Sequence, residues 1–447
     1  MSVTTPESSA VLTEVAAREP VLAAPAEPRI VWSSARKSLF RFVFLYIALY
    51  LLVVIRNAGA PVGAYESVWR KIVPWVARNI LHLPYEITVF TGGSGDTTYD
   101  WVRVLCQLAL AGLGAAVWSL FDRKRANYIR LDNWLRATTR YAVMATMIVY
   151  GAVKVIPAQF LSPSLDRLLQ PFGDASPMGL LWTFIGASTP YNMFTGVAEL
   201  TGGLLLVARR TASLGALITA AVMSNVFMMN MAYDVPVKLL SFHIVLLCVY
   251  IVWPDLRRLA SALVLNQPTA AVELPRLFKR NWLHRSTMVL RVVATVAFLA
   301  YSLYGAHQIR QTFGDNAPRS PLRGIWAVEE FELEGTPVPP LMTDGARWKR
   351  VVFDRPQSIA VYLMNDAQVR LGATLKLEEN TLAVTRGNDA NWTGNFAIAQ
   401  SQPELLELQG KLGSKPLRVK LRKTDLDKKF LLLTRGFHWI SEAPFNR

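Results

Sequence analysis

Four polar side chains stand inside long apolar runs of this sequence, one in each of four consecutive runs: Lys154, Glu199, Asn225 and His243. Ionisable groups in hydrocarbon cost free energy, so each needs a partner or a task. Counted from the expected outer ends of their runs, near Phe160, Met193, Ala232 and Val237, all four lie about 9–10 Å deep at 1.5 Å per helical residue. They therefore fall in one layer. Lys154 and Glu199 form the natural pair, because each charge offsets the other's desolvation. Asn225 and His243 can add hydrogen bonds. Such a layer either fixes helix packing or lines a pocket for a small redox or proton-carrying ligand. In the second case Lys154, Glu199 and His243 are the catalytic candidates, with His243 as proton acceptor. Asn225, Tyr150 and Trp182 are then the ligand-binding candidates.

The elements that would hold these groups are membrane helices. Of 447 residues, 52% are apolar, and the mean hydropathy is +0.26. The apolar residues clump near 39–55, 102–121, 141–160, 191–208, 212–232, 237–253 and 287–306. Each run approaches the roughly 20 residues that cross a bilayer core, which gives about seven spans. The formal charge of +16 is concentrated around Arg36 and Lys37, in 122–140, at Arg209 and Arg210, and in 254–291. Arg and Lys crowding alternate loops is the signature of cytoplasmic loops, and it argues against nucleic acid. Seven spans then place the N-terminus in the cytoplasm and the C-terminus outside, with the protein in a bacterial inner membrane and in contact with lipid. Residues 1–35 read as a disordered cytoplasmic tail and 36–310 as the transmembrane domain. The helical spacing of Trp and aliphatic residues after Glu66 predicts a helix lying on the outer surface. The apolar stretch 177–187 is too short to span.

After residue 323 the pattern becomes short and alternating, from Trp326-Ala-Val-Glu to Phe430-Leu-Leu-Leu, punctuated by turns such as Asn365-Asp366. This predicts an extracytoplasmic antiparallel β domain over 324–441, a barrel or a sandwich, which could dock a protein partner. Cys106 and Cys248 both lie in apolar runs, and with no Cys-x-x-Cys spacing they argue against a disulfide and a cysteine-held zinc or iron–sulfur site. Only His243 lies well inside a run, so a bis-histidine haem has no second ligand at matching depth. No haem or metal is expected. Walker, Rossmann and His-Glu-x-x-His patterns are absent.

Two resemblances sharpen these expectations. Gly324-Ile325-Trp326 resembles the opening of lipocalin-like barrels. Arg140, Gly151 and Lys154 in one helix, Glu199 between Gly196 and Gly202-Gly203 in the next, and the basic turn at Arg209-Arg210 resemble the DoxX family over 141–255, as a four-helix core. The whole chain, with its Gly93-Ser94-Gly95-Asp96-Thr97 loop, resembles longer DoxX-like proteins with an extracytoplasmic domain. That resemblance implies a quinone-linked membrane redox component, with quinone as its ligand. A non-enzymatic scaffold or accessory subunit, and a small-solute transporter, are the competing readings.

Overall fold

The computed structural model describes residues 30–57, 63–89, 93–271, 280–387, 389–425 and 430–446. The expected N-terminal tail lies, up to residue 29, outside them. The helical part comprises α1 (Ser34–Asn57), α2 (Gly63–Asn79), α3 (Thr98–Phe121), α4 (Ile129–Val155), α5 (Leu165–Leu169), α6 (Pro177–Ala187), α7 (Thr189–Leu205), α8 (Ala212–Ala232), α9 (Lys238–Val252), α10 (Leu256–Leu263) and α11 (Asn281–Thr312). Among the described residues, five helical stretches are long and apolar enough to cross a membrane: α1, α3, α8, α9 continued through α10, and α11. The protein is thus a membrane protein. The other two expected spans are α4 and α7. The first has 27 residues and carries Arg130, Asp132, Arg136, Arg140 and Lys154. The second has 17 residues and carries Glu199.

Helices α4, α7, α8 and α9 form a ring: α4 lies along α7, α7 on α8, α8 on α9, and α9 returns to α4. Small residues make the ring tight. A Cβ added at Gly196 would sit 2.6 Å from the Val155 backbone nitrogen, and one at Gly202 would sit 2.5 Å from Thr219 Oγ1. Helix α1 packs on α3 and α4, and α11 packs on α4. Helix α2 buries Trp69 and Val73 against Tyr99, Val102 and Cys106 of α3.

Helix α4 stops at Val155, five residues before the end expected from hydropathy. The cause is Pro157, which has no N–H and forces the residue before it out of the helical region. Ile156 is accordingly extended, at φ −95° and ψ 107°. Lys154 therefore sits in the last turn of α4, where the helix dipole favours a cation.

The chain then leaves α11 for nine strands: β1 (Gly324–Leu333), β2 (Thr336–Pro337), β3 (Trp348–Arg355), β4 (Ser358–Leu363), β5 (Gln368–Lys376), β6 (Thr381–Thr385), β7 (Gly394–Gln402), β8 (Leu405–Leu412) and β9 (Lys415–Lys423). Every neighbouring pair is antiparallel, and β1 pairs with β9, so eight strands close into a barrel with β2 hanging on β1. Period-two burial sets the inside: in β5, Val369, Leu371 and Ala373 point inward and Gln368, Arg370 and Gly372 outward. Trp326, Trp348, Phe353, Leu371, Leu382 and Phe396 fill the interior. Lys423 lies over the Trp326 ring. The sheet ends at Lys423. Leu431–Thr434 is not the expected strand but a single helical turn, α12, because closure of β1 on β9 leaves no open edge for another strand.

The barrel is mounted on the bundle through α5. Leu165 packs with Ile325, Val352, Ala360 and Tyr362 on the outer face of β1, β3 and β4. Asp315 accepts from the Ser162 backbone N–H at 3.2 Å and the Ser162 hydroxyl at 2.9 Å. Burial pushes the Asp166 carboxyl up, while Arg370 at 3.5 Å pulls it down.

Gly196→Ala should lower the melting temperature of the protein in nanodiscs, at a cost of about 1–3 kcal/mol for overpacking. Gly305→Ala in α11, where an added Cβ meets nothing within 4 Å, should not. On the barrel, Asp366 binds Lys349 at 2.7 Å and Arg350 at 2.9 Å. The Lys349 ammonium, then Arg350, holds the Asp366 carboxyl below its ordinary range. A depressed carboxylate stabilises the fold above its unfolded pKa of about 3.9, and that contribution disappears as the pH falls through the folded value. Thermal melts of Asp366→Asn should therefore show a deficit at pH 7 that shrinks as the pH is lowered below the ordinary carboxylate range.

Candidate functional site

The glycine contact between α4 and α7 fixes one charged pair. With Gly151 and Gly196 facing each other, an added Cβ at Gly151 would lie 2.9 Å from the Gly196 carbonyl oxygen. That closeness lets Lys154 Nζ reach and donate to Glu199 Oε1. Both residues are buried, at 6% and 2% exposure. Glu199 Oε2 finds no hydrogen-bond partner among the described residues. The Lys154 ammonium lies 5.8 Å from the Tyr150 ring centroid.

His243 is elsewhere. Its ring stacks on Tyr50 of α1, with centroids 3.9 Å apart and planes 14° from parallel. Nδ1 lies 2.7 Å from the Leu239 carbonyl oxygen, and Nε2 lies 2.5 Å from the Tyr46 hydroxyl. A carbonyl can only accept, so Nδ1 carries a proton and donates to Leu239; with the ring neutral, Nε2 is then the acceptor for the Tyr46 O–H. This pair lines a cleft of about 370 Å³ between α1 and α9. Phe42, Val43, Ile47, Leu246 and Val249 supply apolar walls, and Trp32, Arg36 and Trp253 stand at the far end. There Asp132 accepts from the Tyr250 hydroxyl at 2.6 Å and pairs with Arg136 at 3.0 Å.

A second cavity, about 230 Å³, lies toward the barrel end between α1, α3, α4 and α9. Tyr50, Tyr150, Arg56, Asp100, Arg103 and Gln107 line it, with Gly93, Ser94 and Gly95 as its rim. Arg103 makes a two-pronged pair with Glu66 at 2.9 and 3.0 Å, and Arg56 joins at 3.2 Å. The rim is pinned by Asp96, which accepts from the backbone N–H of Lys238 at 2.6 Å and Leu239 at 2.9 Å. It thereby caps α9 from across the chain. Tyr50 borders both cavities.

The expected single layer is therefore three places. Lys154 and Glu199 meet, Tyr150 stands between them and the chamber at the barrel end, and His243 belongs to the α1–α9 cleft. Asn225 is exposed on α8, because Thr219 and Met223 occupy the buried face of that helix. The buried asparagine of α8 is Asn230, which donates to Ser241 Oγ at 3.1 Å. Trp182 packs edge-on against Phe160, centroids 5.0 Å apart, in a separate cluster with Leu181 and Ile185. Sequence reasoning missed Tyr46, Tyr50, Arg103 and Gln107. The i, i+4 spacing of Arg103 and Gln107 within an apolar run was the available signal.

Over 124 residues, 27% of its length, the chain is 32% identical to uncharacterized protein YwoB of Bacillus subtilis (strain 168), and it covers 77% of that protein. This chain belongs to the YwoB family. It is also 27% identical over 170 residues to the undecaprenyl-phosphate alpha-N-acetylglucosaminyl 1-phosphate transferase of Escherichia coli (strain K12), a match that covers 37% of the chain and 43% of the enzyme. The same values hold for the Shigella flexneri enzyme. The chain thus spans less than half the length of these transferases. No family model and no solved structure matches it.

In this YwoB relative the Lys154–Glu199 pair should behave as a packing device. Lys154→Met or Glu199→Gln alone strands a buried charge and should cost about 3–5 kcal/mol, whereas the double substitution should recover most of the loss. Unfolding of the four proteins in detergent measures the coupling.

Proposed function

We propose that this YwoB-family protein binds a lipid-soluble ligand of the quinone class in the α1–α9 cleft, as a redox component of a bacterial inner membrane. In this reading seven helices span the membrane, the N-terminus is cytoplasmic and the barrel extracytoplasmic. The DoxX-like character rests on Arg140, Gly151, Lys154, Gly196, Glu199 and Gly202-Gly203. The observation that carries the ligand reading is the Tyr46–His243 hydrogen bond at one end of a cleft whose walls are otherwise largely apolar and aromatic. Pockets for apolar ligands combine such walls with a few convergent polar groups.

A bound quinone would supply two-electron redox chemistry coupled to two protons. The residues fit such a group: aromatic side chains flank the cleft, and the polar pair stands against its wall. Tyr46 can donate its hydroxyl to a ligand carbonyl. His243, with Nδ1 held by Leu239, then presents the free lone pair of Nε2 to a ligand hydroxyl. Tyr50 backs the imidazole and keeps its plane. Lys154 and Glu199 contribute by holding α4 against α7, so that α9 is fixed opposite α1.

A second reading has one specific support, the partial likeness to enzymes named for undecaprenyl phosphate. A polyprenyl chain suits the same apolar walls, and Arg36 and Arg136 at the far end could meet its phosphate. Purification in native-lipid nanodiscs followed by mass spectrometry separates the two. Quinone should be recovered from the wild type, and Tyr46→Phe and His243→Ala should each reduce its retention about 5–10-fold, the value of one buried hydrogen bond. Recovery of a polyprenyl phosphate supports the second reading. If neither lipid is found, the cleft is not a lipid-ligand site.

A further inference from the structure

The end of the chain carries a group of large apolar side chains that the barrel leaves uncovered. Leu431, Leu432 and Leu433 are about half exposed, and Phe437, Trp439 and Ile440 are 82%, 88% and 75% exposed. Contiguous exposed apolar surface of this kind marks an interaction site. Trp and Phe, whose rings suit the zone between headgroups and acyl chains, are the residues of membrane interfaces.

The position of the segment selects its partner. Phe430, from which it departs, packs against the cluster that joins Leu165 of α5 to Ile325, Val352, Ala360 and Tyr362 of the barrel. Helix α5 in turn lies at the membrane boundary. Ser162, three residues before Leu165, is bonded to Asp315, three residues beyond the end of the span α11. The segment therefore starts on the surface where α5 mounts the barrel, and α5 is tied by Ser162 to the chain just beyond α11. Phe437 and Trp439 are seven and nine residues further, within about 30 Å of that point even fully extended.

We propose that residues 431–440 form an interfacial anchor, with Phe437, Trp439 and Ile440 inserted among the lipids of the leaflet on the barrel side. The anchor and the α5 mount together hold the barrel at two points, which restrains its tilt over the bundle. This inference uses the membrane spans and the barrel mount only, and is independent of what the α1–α9 cleft binds.

The test uses the full chain in nanodiscs of phosphatidylethanolamine and phosphatidylglycerol. Trp439→Cys is labelled with the environment-sensitive fluorophore NBD. Cys106 and Cys248 are buried, so the unsubstituted protein is the unlabelled control. Glu378→Cys, in the turn between β5 and β6, beyond the end of β5 that lies about 20 Å along the strand from Arg370, reports a water-exposed barrel site. At position 439 the emission should be blue-shifted and quenched severalfold more by a spin-labelled lipid than at position 378. Adding Phe437→Asp and Ile440→Asp should abolish both differences. Equal quenching of the two sites by aqueous iodide overturns the proposal. So does a blue shift that disappears when each nanodisc holds a single copy, because the segment would then be covered by a second chain.

Discussion

Two helices can share a buried ion pair only if their backbones come close enough for short reach to suffice. Between α4 and α7 that closeness is made by glycine. At Gly151 and Gly196 there is no room for even one methyl group, and at Gly203 an added Cβ would lie 2.9 Å from the Met147 Cβ. The Lys154 ammonium then meets the Glu199 carboxylate inside the buried contact. Each charge alone would be expelled from such a place. The same small-residue logic continues from α7 to α8 at Gly202 and Gly215. The four-helix ring and the cavities at its edge inherit their geometry from these contacts.

Outside the ring, α1 does the separating. Its Tyr46 and Tyr50 lie one turn apart on the face toward α9, and His243 touches both. On one side of Tyr50 is a chamber with two guanidinium groups and two carboxylates in or beside its wall. On the other is the cleft lined by apolar and aromatic side chains. Charge balance explains why the first can exist within a membrane domain. Glu66 answers Arg56 and Arg103 together, so helix α2 contributes the counter-ion for a cation buried in α3.

The barrel follows different rules. Its interior is filled by bulky side chains, Trp326 and Trp348 foremost, so its contribution is a stiff outer surface. The face of β1, β3 and β4 presents Ile325, Val352, Ala360 and Tyr362, which would be unfavourable in water and are covered by α5. Asp354 holds Arg319 at 3.3 Å and Arg323 at 3.2 Å, which ties the linker after α11 to β3.

Much of this was legible in the amino-acid order. Apolar runs of spanning length, the change to two-residue alternation after Gly324, and the partnership of Lys154 with Glu199 all follow from local rules: hydrocarbon thickness, strand pleat and the cost of a lone buried charge. Helix rotation was not legible. Counting along the apolar runs gives Asn225 and His243 a depth but not a direction, and the packing of α8 turned Asn225 outward and that of α9 turned His243 toward α1. The end of α4 shifted because Pro157 overrode an apolar run. Arg103, Glu66 and Arg56 come from three helices and meet only when α2 folds back on α3. Sequence alone therefore determined which segments are long and apolar enough to span, and that Lys154 and Glu199 need each other. Tertiary structure decided which faces look at each other, because a helix fixes the spacing of its side chains but only its neighbours fix its angle about its own axis.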